Sequence, residues 1–107
     1  GVYRVATIDN GISIVHSVLK LISKEYLDED GNKRHERAND FLRKVNYDIS
    51  PRNIAKVTNY TINIINYSNV DRIQSGTRSI FLYINRDGTY EPLVKKLKNG
   101  GFCSTFE

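Results

Sequence analysis

His16 and His35 are the two histidines of this 107-residue chain, and histidine is the side chain most readily recruited to acid–base chemistry near neutral pH. With the chain's lysines and tyrosines they could move protons in metal-independent RNA cleavage, which needs no linear motif. A metal centre is a poorer fit. No second His, Cys or paired carboxylate stands at ligand spacing beside His16, so that ring reads as a core or surface histidine. The run Asp28-Glu29-Asp30-Gly31-Asn32 opens like a calcium loop, but the later carboxylate that should close the site is missing, and a solvated acidic turn is expected. Cys103 is the sole cysteine and cannot form an intrachain bridge, so it reads as an inert thiol in a reducing compartment. No glycine-rich loop precedes a helix in the manner of phosphate-cradling enzymes. Neither a cofactor nor a metal is expected, and the leading reading is non-enzymatic.

Charge points to a partner class. Residues 1–30 carry three basic and five acidic groups, residues 31–60 seven and three, within a net charge of +4. The excess in the middle favours a polyanion, because each phosphate neutralised by Lys or Arg releases counterions. No apolar run approaches the roughly 18 residues of a membrane span and the amino terminus lacks a signal-peptide layout, so a cytoplasmic protein without membrane contact is expected. The richness in Asn, Ile, Tyr and Lys suits AT-rich coding sequence, as in many phages and low-GC bacteria.

The elements that must position these groups form a single small α+β domain, residues 1–107. Val2 to Ile8 suits a first strand. Asp9 or Asn10 can cap a following helix whose apolar positions Ile12, Val15, Leu19, Ile22 and Tyr26 keep spacings of three and four; Ile14, Val18 and Leu21 add a second stripe. Two stripes mark a core helix, and also a candidate dimer surface. Lys33 to Val45 reads as a helix with Ala38, Phe41, Leu42 and Val45 inward and a basic face outward that includes His35. Ser50 caps a short helix with Pro51 at its first position and Ile54, Ala55 and Val57 packed, ending near Thr58-Asn59. Thr61 can cap a fourth helix through Ile62, Ile64, Ile65 and Tyr67.

Ala55, Asn59 and Ile65 occupy the positions at which helix-turn-helix domains carry a small residue, a turn residue and an aliphatic residue, so residues 50–70 resemble that family. Thr77 to Ile84, a turn at Asn85-Arg86-Asp87-Gly88 and a return through Thr89 to Val94 then resemble its wing, a hairpin over 77–94. The resemblance implies a winged helix-turn-helix fold of about four helices with a C-terminal hairpin, and a recognition helix over 61–69 in the major groove of double-stranded DNA. It implies DNA contacts from Arg52, Lys56, Thr61, Asn63, Asn66, Tyr67, Arg78 and Arg86, with Asn suited to adenine and Thr to a thymine methyl. Dimerisation on a palindromic site would follow.

Along the second run, Ile80, Leu82 and Ile84 should face the core, leaving Phe81 and Tyr83 opposite. Those aromatics could stack on bases of a single strand, although packing beneath a helix at Lys95 to Lys98 is preferred. Gly100-Gly101 should release a flexible tail over 100–107. The sequence thus favours a small DNA-binding regulator of transcription or replication. A phage-type protein that binds and inhibits a host protein is the alternative, because the segment 61–69 is apolar and free of lysine, and a ribonuclease toxin is the third reading.

Overall fold

Side-chain caps decide where most of the helices start. In the computed structural model, which describes residues 2–45, 49–58, 61–62, 69–75 and 78–103, the first helix, α1, runs Ser13–Ile22. It has no side-chain cap, because the cap position is Ile12, which carries no acceptor, and not the expected Asp9 or Asn10; Asn10 Nδ2 lies 2.9 Å from His35 Nδ1. The single helix expected through Tyr26 is broken at Ser23, whose Oγ accepts the Tyr26 N–H at 3.2 Å and starts α2, Lys24–Asp28. A serine able to satisfy an orphan amide makes that break favourable. Asp30 caps α3, Gly31–Lys44, through the Lys33 N–H at 3.1 Å. Ser50 caps α4, Pro51–Thr58, through the Asn53 N–H at 3.2 Å, as its sequence position predicts.

The strands are β1 (Val2–Arg4), β2 (Thr61–Ile62), β3 (Val70–Ser75), β4 (Arg78–Ile84), β5 (Tyr90–Lys96) and β6 (Phe102–Cys103). They form one antiparallel sheet in the order β1-β5-β4-β3-β2, and β6 also pairs with β5. Lys95 is partnered by Val2 on one side and Cys103 on the other, so β1 and β6 lie along opposite edges of β5. The β4–β5 turn closes where the Asp-Gly pair predicts: Asn85 N–H donates to Thr89 O at 2.8 Å, and Gly88 takes φ +86°. This hairpin is central in the sheet, with β3 beyond one strand and β1 beyond the other.

α1 and α4 meet one side of that sheet, and α2 and α3 pack on α1. Ile73, Ile80, Leu82 and Val94 are buried against Ile14, Val15, Val18, Leu19 and Leu21 of α1 and Ile54 and Ala55 of α4 in a single cluster, to which Tyr26, Ala38 and Phe41 add from α2 and α3. Polar stitches fix α1 on β5: Ser13 Oγ accepts the Tyr90 N–H at 2.9 Å and Ser17 Oγ donates to Tyr90 O at 3.0 Å. Nearly every residue of α1 is buried, so the face expected to serve a dimer is spent inside the domain.

Three local expectations are corrected. Thr61–Ile62 is strand rather than the start of a helix, because both residues pair with β3 at Gln74 and Ile73, and β-branched residues suit that pairing. Asn63, Asn66 and Tyr67 lie outside the described residues. Lys95 and Lys96 close β5 instead of opening a helix, and Leu97 and Lys98 belong to the turn that follows. The chain beyond Gly100 is not all tail: Gly100 at φ +88° turns it back, Leu97 N–H donates to Gly101 O at 2.7 Å, and Phe102–Cys103 pairs with β5.

Candidate functional site

Register assembles the first candidate surface. Arg4, Leu93, Phe81 and Arg72 are successive partners across β1, β5, β4 and β3, so they form one row across four strands. Side chains alternate along each strand, which puts this row on the side opposite Leu82 and Pro92. Glu91, Tyr83 and Val70 form the next row, and Val2 with Lys95 the row on the other side. No described helix covers these rows, since the helices pack on Ile73, Ile80, Leu82 and Val94. Phe81, Tyr83 and Leu93 are half-buried. With strands about 4.8 Å apart, the two guanidinium-bearing ends of the first row stand about 14 Å apart along the sheet.

Electrostatics on this face are mostly cationic. Arg4 lies with its guanidinium carbon 4.5 Å from the centre of the Tyr83 ring and 3.9 Å, through Nη1, from the Glu91 carboxylate. Half of the Arg4 side chain is exposed, so both contacts are open to exchange. Arg72 is held by donation to Ser79 Oγ at 3.0 Å and Gln74 Oε1 at 2.8 Å, both on the same face. Glu91 is drawn toward the turn by Asn85 Nδ2 at 3.0 Å. Among the described residues the surface therefore sets two aromatic side chains and Leu93 beside Arg4, Arg72 and Lys95, with the Glu91 carboxylate among them.

A second constellation sits among the helices. His16 and His35 come together across α1 and α3, ring centres 5.4 Å apart and edge to face. Tyr26 hydroxyl lies 2.6 Å from His16 Nδ1. Burial, then His35 and Arg34, push the His16 pKa down to about 4, while burial pushes Tyr26 up. Both are neutral near pH 7, so the contact is a neutral hydrogen bond whose donor, phenol O–H or Nδ1–H, is set by the imidazole tautomer. His16 Nε2 has no hydrogen-bond partner among the described residues. The ring of His16 is fully buried, so no substrate phosphate touches it in this conformation.

The described residues among those expected to contact DNA are carried by separate elements. Arg52 and Lys56 are exposed on α4, Arg86 is exposed in the β4–β5 turn, and Arg78 and Thr61 belong to strands β4 and β2. The row Arg4–Leu93–Phe81–Arg72 was not legible beforehand, because it depends on pairings between strands up to 89 residues apart in sequence, Arg4 and Leu93. Alternation in β4 did single out Phe81 and Tyr83. Among the described residues no three His, Cys, Asp or Glu side chains gather closely enough to hold a metal ion, and no helix is long and apolar enough to cross a membrane. Comparison with known families, with curated proteins and with solved structures finds no match to this chain.

Proposed function

We propose that the chain is a non-enzymatic nucleic-acid-binding module whose sheet face opposite α1 and α4 takes a single strand. The observation that carries this reading is the cross-strand row Arg4–Leu93–Phe81–Arg72 with Tyr83 beside it. Bases present apolar π faces that stack on aromatic rings or guanidinium planes, and their phosphates need cations at the margins. Arg4 laid on Tyr83 offers a guanidinium plane, Phe81 places an aromatic ring in the adjoining row, and Arg72 stands where a backbone would run. A sheet is also a rigid platform, so little order has to be imposed on the protein when a strand settles.

Duplex DNA is the second reading. It is favoured by Arg52 and Lys56, exposed four residues apart on α4, and by Arg86 at the hairpin tip. A helix-turn-helix in the family's sense would need a helix where Thr61–Ile62 is strand, so major-groove entry would fall to α4 alone.

Fluorescence anisotropy of labelled single-stranded RNA, single-stranded DNA and mixed-sequence duplex, each across a salt series, separates the readings. Single-strand binding should dominate, with log K falling against log salt at a slope of about −2 for three phosphate contacts. Phe81→Leu keeps apolar bulk and loses the ring, and should weaken binding about 5- to 100-fold if one base stacks there. Duplex binding that drops in an Arg52→Ala, Lys56→Ala double variant and ignores Phe81→Leu would transfer the function to α4. Absence of binding to any nucleic acid at low salt would leave the host-protein inhibitor, sought by pull-down.

A further inference from the structure

We infer that the pocket between the β1–α1 connection and the helices binds a small oxyanion of the phosphate class. It measures about 200 Å3 and is lined by Ala6, Thr7, Ile8, Lys20, Tyr26 and Arg34. Two cations border it without an anion. Among the described residues neither Lys20 nor Arg34 forms an ion pair; the four pairs present are Arg4–Glu91, Lys33–Glu36, Arg37–Glu29 and Arg43–Asp40.

Both cations are instead pinned by neutral backbone. Lys20 Nζ donates to Ala6 O at 2.8 Å; Arg34 donates through Nε to Tyr26 O at 2.9 Å and through Nη2 to Leu27 O at 3.0 Å. Arg34 also lies over the Tyr26 ring, its guanidinium carbon 4.9 Å from the centre. An ammonium has three N–H donors and a guanidinium five, so two remain on Lys20 and three on Arg34. Carbonyl anchors fix the positions of these groups and leave their charge uncompensated. The two like charges also act on each other: burial, then Arg34, lowers the Lys20 pKa. Thr7 adds a hydroxyl to the same wall, its buried Oγ1 lying beside the Tyr26 hydroxyl. A tetrahedral oxyanion has the charge to relieve the repulsion and enough acceptors to take N–H groups from Lys20 and Arg34 and the O–H of Thr7.

This site belongs to the helical layer and does not depend on the sheet face. Inorganic phosphate and a nucleoside 5′-monophosphate are the probes, titrated against 15N-labelled protein at constant ionic strength with chloride as control. Saturable shifts centred on Thr7, Lys20 and Arg34 are expected with phosphate and absent with chloride. Tighter binding of the monophosphate than of phosphate identifies an ester as the occupant, and equal binding identifies the free anion. Lys20→Met keeps the aliphatic stem and should weaken binding at least tenfold; Thr7→Val, nearly isosteric, should weaken it severalfold. Shifts that do not saturate, that appear equally with chloride, or that survive in both variants overturn the site. Should Lys20→Met fail to fold, the wild-type shift map and Thr7→Val decide.

Discussion

His16 ties sequence to stability through its protonation. Its folded pKa, about 4, lies below the ordinary value of 6.5 because burial opposes the charge and because His35 and Arg34 face the ring. Between those values the unfolded chain binds more protons than the folded one, so stability rises with pH through this window and is lost as pH falls from about 6.5 toward 4. The slope from this one residue is at most about 1.4 kcal/mol per pH unit. Urea unfolding of wild type and His16→Gln across pH 4 to 7 checks it, and the slope should flatten in the variant. Tyr26→Phe removes the hydroxyl bonded to Nδ1 and should cost about 1–3 kcal/mol, read in the same assay, because a buried ring nitrogen is left without a partner. The sequence singled out both histidines but not their meeting. Residues 16 and 35 lie on different helices, and only the Ser23 break and the Asp30 cap turn α3 back on α1. Tyr26 looked like one more apolar position at helical spacing, and nothing in its spacing showed that its hydroxyl would reach a histidine.

At the scale of elements, what was readable followed local chemistry. The start of α4 at Ser50-Pro51 and the β4–β5 turn at Asp87-Gly88 came directly from capping and positive-φ demands, which act within four residues. Thr61–Ile62 could not be read so, since a run rich in Ile suits either a buried helix or a strand until a neighbour is known, and β3 supplies that neighbour. Gly88 provides a clean test. A Cβ there meets nothing within 4 Å, so Gly88→Ala should cost about 1–2 kcal/mol from backbone strain alone at φ +86°, measurable by thermal unfolding. Ala55 is the steric counterpart. It is fully buried where α4 meets the sheet, and Ala55→Leu should destabilise by about 1–3 kcal/mol through overpacking, whatever the domain binds.

For the whole molecule, layering separates tasks. Helices fill one side of the sheet and leave the row Arg4–Leu93–Phe81–Arg72 on the other, so variants on the proposed single-strand surface should disturb binding more than folding. Tyr83→Leu should reduce single-strand affinity about 5- to 100-fold in anisotropy while the unfolding midpoint moves little, because the residue is only partly buried and leucine keeps its apolar bulk. Sequence alone carried the α+β class and the inward side of β4. It did not carry the strand order, because β1 pairs with β5 across most of the chain and such long-range pairings leave no periodic trace. That pairing brings the two ends of the domain together: β1 and β6 flank β5 at Lys95, so chain arriving at Val2 and chain departing from Cys103 pass about 10 Å apart. The domain is shaped like a bead hung from a single point on a string. It could be spliced into a surface loop of another protein without spreading the ends of that loop.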